Sequence, residues 1–168
     1  MLKTGLVFVF FAALQVLILN NIHFFRIAIP FLYIYVILKM PIDTGRIQLV
    51  LISFLLGLII DLFSNTMGMH AAACSLIGFV REPLLTLLDD KDMVKGASPS
   101  YYTMSTGAFM RYVLFIVVLH HVTLFLIESI SLFDPLFLLL RIFSCVILTS
   151  LCIFIVEVFN VNRKSGES

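Results

Sequence analysis

The sequence predicts an all-α fold: a polytopic membrane protein of six transmembrane helices with N- and C-termini cytoplasmic. Three observations predict it. Apolar residues make up 61% of the 168 residues and charged residues 12%, against roughly 45–50% and 25% in soluble domains. The mean hydropathy, +1.13, suits a chain whose solvent is lipid. Six apolar segments divide the chain, each bounded by charged or turn-forming residues, and a helix needs about 20 such residues to cross about 30 Å of hydrocarbon.

The first helix is read over about residues 2–19. Lys3 and the apolar run after it resemble a signal peptide, but no small-x-small site precedes Asn20 and five more apolar segments follow. It is therefore read as a retained helix. The second, about 27–40, lies between Arg26 and Lys39 with Pro30 near its start, and it spans only if the flanking charges reach toward the headgroups. The third covers about 47–63, and the fourth, about 69–88, runs on through Arg81-Glu82-Pro83. The fifth covers about 104–127 and the sixth about 136–159, so that residues 1–160 form one domain and 161–168 a short polar tail. The turn-rich stretch Asp89–Thr103 is the one sizeable polar loop, a linker or a docking segment, with Tyr101 and Tyr102 as interface anchors.

Charge placement decides the number of crossings. With six, Lys3, Lys39, Arg46, Arg81, Lys91, Lys95, Arg163 and Lys164 all fall on inner flanks and only Arg26 on an outer loop. If the second segment did not cross, Lys3 inside would force Arg81, Lys91 and Lys95 outside, against the positive-inside rule.

Residues 57–71, Gly-Leu-Ile-Ile-Asp-Leu-Phe-Ser-Asn-Thr-Met-Gly-Met-His-Ala, are the most informative stretch. Asp61 sits within an apolar run, and an ionisable group in a membrane segment invites a functional explanation. The competing reading places it beside the polar turn, accepting hydrogen bonds from Asn65, Thr66 or backbone amides and pairing with His70. Ala71, Ser75 and Gly78 put small side chains on one face of the fourth helix, where backbones approach closely in lipid; that face serves either internal packing or a partner helix. Arg111, His120, His121, Arg141 and Glu157 are further polar residues in apolar segments. A hairpin folded about Ser131–Leu132 brings His121 level with Arg141 and Arg111 near Glu157, so pairing among these groups is expected. The adjacent histidines point about 100° apart and have no carboxylate within three or four residues, so no metal or other cofactor is expected. Cys74, Cys145 and Cys152 read as small buried hydrophobes. No nucleophile elbow, HExxH or Walker loop is present, so the chain reads as non-enzymatic. A net charge of +1 leaves no basic surface for nucleic acid.

The pattern Gly57-Leu58-x-x-Asp61-Leu62, a short turn, then Gly68-x-His70-Ala71, at the junction of the third and fourth of six helices, resembles the rod shape-determining membrane protein MreD family. Pro30 opening a short second segment and the polar loop before the fifth helix fit that likeness. The resemblance implies an integral scaffold in the bacterial inner (cytoplasmic) membrane. It would work in cell shape and peptidoglycan synthesis with an MreC-like bitopic protein, an MreB-like filament and peptidoglycan synthases. It also implies a fold like the substrate-binding subunits of energy-coupling-factor transporters. The alternative expectation follows from that fold: a vitamin-binding transporter subunit, with Asp61, Asn65, Thr66, His70 and Glu128 as the available polar groups.

Overall fold

The computed structural model describes residues 2–19, 28–88, 96–129 and 134–165, with side chains over 5–19, 28–88, 96–129 and 134–159. The described residues are all-helical: α1 (Leu2–Leu17), α2 (Ile34–Leu38), α3 (Arg46–Ser64), α4 (Met69–Leu88), α5 (Thr106–Glu128) and α6 (Pro135–Ser165). Four of these, α3, α4, α5 and α6 over Pro135–Phe159, are long and apolar enough to cross a membrane. The expected loop Asn20–Arg26, the charges Lys91 and Lys95, and the turn at Ser131–Leu132 lie outside the described residues, as do the side chains of Lys3, Arg163 and Lys164.

The distribution of polarity is the reverse of a soluble fold. Large apolar side chains such as Leu51, Leu62, Phe143 and Ile155 face outward, while Gln15, Arg81, His120, His121, Thr149 and Glu157 are buried. That is the arrangement expected of a bundle in lipid, where polar groups find partners inside.

Two elements depart from expectation. The second segment is not a helix over 27–40: only five residues, Ile34–Leu38, are helical. Pro30 has no N–H and biases Ile29 away from the α conformation. The backbone groups thus left unpaired are met by side chains. Gln15 Nε2 donates to the Pro30 carbonyl (3.0 Å) and Gln15 Oε1 accepts from the Leu32 amide (2.9 Å). Thr149 Oγ1 accepts from the Phe31 amide (3.0 Å). Every residue from Pro30 to Leu38 is buried, so the irregular backbone is sheathed in protein, and its polar groups are met there rather than by solvent. The sixth helix extends past the expected 159 to Ser165, since no Gly or Pro occurs between Pro135 and Gly166 to stop it.

α3 and α4 pack closest where small residues meet. A Cβ on Gly57 would lie 2.6 Å from the Ala71 backbone nitrogen and Cα, and one on Gly78 2.6 Å from Ser53 Oγ and 3.4 Å from the Leu49 carbonyl. The small face of α4 is thus filled at Ala71 and Gly78 by α3 of the same chain. Gly57→Ala, which meets backbone, is expected to cost about 1–3 kcal/mol by overpacking. Gly78→Ala meets the fixed Ser53 Cβ less closely, at 2.9 Å, with the Ser53 hydroxyl able to rotate away, and should cost less. Thermal unfolding of the two purified variants checks the order; equal losses would mean the helices simply separate.

Candidate functional site

Asp61 occupies the last turn of α3, 3% exposed, at the start of α4. Its Oδ1 accepts from Thr66 Oγ1 (2.5 Å) and the His70 amide (3.0 Å), and its Oδ2 from the Ala71 amide (2.8 Å). The carboxylate therefore caps α4 from a neighbouring helix, satisfying two of its orphan amides with a charge favoured at a helix N-terminus. The short connection that permits this needs left-handed backbone at Asn65 (φ 54°) and Gly68 (φ 76°), and the Thr66 amide closes α3 on the Asp61 carbonyl (3.0 Å). Asp61 engages the backbone of His70 and no bond joins it to the ring. Ser75 turns its hydroxyl back to the Ala71 carbonyl (2.7 Å).

The His70 ring points instead to Tyr33, on the irregular segment. The Tyr33 hydroxyl lies 2.7 Å from His70 Nδ1 and 2.8 Å from His120 Nε2. His121 Nδ1 donates to the Val117 carbonyl (2.7 Å), leaving Nε2 to accept from Thr149 Oγ1 (3.3 Å). Phe31 packs against all three imidazoles, with ring centroids 5.3–6.0 Å away. Three histidines from two helices are thus gathered around one broken strand of chain. Among the described residues, no three His, Cys, Asp or Glu side chains are placed to hold a metal.

A second set of bonds fixes the other end of the segment. Glu157, 1% exposed, accepts from Tyr35 Oη (2.7 Å) and Lys39 Nζ (2.9 Å), and Lys39 also donates to the Pro99 carbonyl (2.6 Å). Buried Arg81 donates to the Met40 carbonyl and to Tyr112 Oη (2.9 Å), and Tyr112 in turn donates to the Leu38 carbonyl (3.2 Å). Arg81 and Tyr112 thus meet carbonyls at and just beyond the end of α2, where they are otherwise orphaned.

The pairings expected from a hairpin about Ser131–Leu132 are corrected. Arg141 pairs with Glu128 (2.8 Å) and His121 meets Thr149, which centres the α5–α6 register near residues 134–135, where Asp134 caps α6. Arg111 does not pair with Glu157. It lies at a compatible height but on the outer face, bonded to the Gly107 carbonyl (3.2 Å), because its neighbour Tyr112 takes the inward position about 100° away.

Above the tyrosine–histidine group, at the α3–α4 turn end of the bundle, is an open cavity of about 340 Å³. His70, Thr66, Glu128 and Arg141 supply polar groups to its wall, and Phe31, Phe63 and Phe125 apolar surface. Sequence reasoning missed Gln15, Tyr33, Tyr35, Tyr112 and Thr149. A lone amide in the apolar run of the first helix after Thr4 was the one available signal for Gln15. No protein-family model, curated protein or solved structure matches this chain.

Proposed function

We propose that this chain is a non-enzymatic scaffold of the bacterial cell-elongation machinery, of the MreD kind. In this reading it resides in the inner membrane, crosses it six times with both termini in the cytoplasm, and has the fold of the energy-coupling-factor substrate-binding subunits. Its partners are an MreC-like bitopic protein, an MreB-like filament and peptidoglycan synthases, and its work is cell shape and peptidoglycan synthesis. The observation that carries the reading is the use made of residues 57–71, the stretch on which the resemblance rests. Gly57, Asp61, Gly68 and Ala71 lock one helical hairpin, which suits a rigid platform rather than a reaction centre.

The crossing number is supported by residues 28–42. The Tyr33 hydroxyl reaches His70 near the start of α4 and Met40 receives Arg81 eleven residues further along it, so the seven residues between them, with these two long side chains, span the rise of eleven helical residues, about 16 Å at 1.5 Å per residue. The segment thus traverses much of the bundle without being a long helix. Reporter fusions after Gly96 and after Asp134 should give opposite signals; the same compartment at both removes the six-crossing topology. For the function, deletion in the native host should round the cells, and crosslinking from the membrane should capture the MreC-like protein. Deleted cells of normal width and length would reject the scaffold reading.

A further inference from the structure

The protons of the buried cluster can be counted. Tyr33 has one hydroxyl hydrogen and two imidazole nitrogens within 2.8 Å, His70 Nδ1 and His120 Nε2. The Cys74 thiol also bonds this hydroxyl, but sulfur is a weak acceptor beside an imidazole nitrogen, so the hydroxyl donates to one imidazole and the other must donate its own hydrogen. His120 Nδ1 is buried with no partner. A hydrogen there would be an orphaned buried donor, which folded proteins avoid more strictly than a bare acceptor. His120 therefore carries its hydrogen on Nε2 and gives it to the Tyr33 oxygen, and Tyr33 gives its own to His70 Nδ1. A neutral His70 then carries its hydrogen on Nε2. That nitrogen has no protein partner among the described residues, and His70, 6% exposed, lines the cavity at the α3–α4 turn.

Arg141 lines the same cavity. Its guanidinium holds Glu128 Oε1 through Nη1 at 2.8 Å and rests 4.5 Å from the Phe125 ring centre. No other protein acceptor meets it among the described residues, and a guanidinium has five N–H donors, enough for two carboxylates. The Thr66 hydroxyl already donates to Asp61. Among the described residues, the Arg141 guanidinium and His70 Nε2–H are thus left to donate into the cavity. Phe31, Phe63 and Phe125 offer an apolar wall beside them. The volume of about 340 Å³ lies at the small end of ligand sites, roughly 300–1,000 Å³.

We propose that this cavity binds a small amphipathic anion, a carboxylate or phosphate head on an apolar body, with the head shared between Arg141 and His70 and the body against Phe31, Phe63 and Phe125. Glu128 is the opposing charge at the rim; it keeps one N–H of Arg141 and limits the site to a single anionic head. The site does not depend on the scaffold reading.

The test uses the full chain in phosphatidylcholine nanodiscs and calorimetric titration with 4-phenylbutyrate and its neutral amide. A charge-assisted bond to guanidinium should make the carboxylate bind at least about tenfold tighter than the amide. Arg141→Gln, at a half-exposed position, should abolish that difference while the protein unfolds at its usual temperature. Phe63→Ala, at the exposed end of α3, should weaken both probes alike. Adding phosphatidylglycerol to the discs assigns the source: competition with phenylbutyrate identifies a lipid headgroup as the natural anion, and its absence a soluble one. Equal binding of acid and amide, or a preference that survives Arg141→Gln, would overturn the proposal and leave only partition into lipid.

Discussion

Asp61→Leu is expected to be the most damaging single substitution in the chain, lowering stability by roughly 3–6 kcal/mol. Three donors converge on this carboxylate: the amides of His70 and Ala71 and the hydroxyl of Thr66. Leucine fills a similar volume and leaves all three unpaired in a buried site. Each orphaned donor costs about 1–3 kcal/mol, and the favourable charge at the α4 N-terminus, about 0.3–1 kcal/mol or more when partly buried, is lost as well. Asp61→Asn should cost roughly half as much. Its Oδ1 can still accept, but its Nδ2 presents hydrogens to the Ala71 amide where an acceptor is needed. Thermal unfolding of the purified variants should rank wild type above Asn above Leu, and membrane abundance should follow. If Asn and Leu unfolded together near wild type, the capping account of Asp61 would be wrong, and a role in partner binding would have to carry the residue.

How much of this was legible in the sequence differs from residue to residue. The long helices follow from apolar runs that no tertiary contact is needed to recognise, and their bounds at Ser64, Met69 and Leu88 fall within a residue of the turn signals. The Asp61 region was also readable, because its polar partners lie within ten residues along the chain. The irregular second segment was not. Its stability comes from Gln15, Thr149, Arg81, Tyr112 and Glu157, up to 122 residues distant, and a local pattern contains nothing of such bonds. The hairpin register failed for a related reason. Asp134 places the start of α6 three residues beyond the assumed turn centre, and on a helix a small rotation exchanges Tyr112 for Arg111 as the inward residue. Gly57 and Gly78 show the converse: small residues in the sequence marked where backbones meet, though not which helix they meet.

Gln15→Leu is expected to cost about 2–5 kcal/mol although it replaces a polar residue by an apolar one in an apolar helix. On hydropathy alone the change should stabilise a membrane segment, so the sign of the effect separates two accounts of α1. Gln15 is fully buried, and its two ends serve the Pro30 carbonyl and the Leu32 amide. Proline prevents these groups from being satisfied by a helix, and Gln15, Pro30 and Leu32 are all buried. Leucine therefore strands one acceptor and one donor, each costing about 1–3 kcal/mol when buried and more where the surroundings are hydrocarbon. The damage should be local first. Amide hydrogen exchange at Leu32 should accelerate, and the Tyr33 hydroxyl, two residues from Phe31 and between His70 and His120, should lose its fixed position. Gln15→Glu keeps an acceptor for the Leu32 amide but, ionised, faces the Pro30 carbonyl with a second acceptor, so it should be no better than leucine. A Gln15→Leu protein as stable as wild type, with Leu32 still protected, would mean that the 28–33 backbone is held by packing and Thr149 alone.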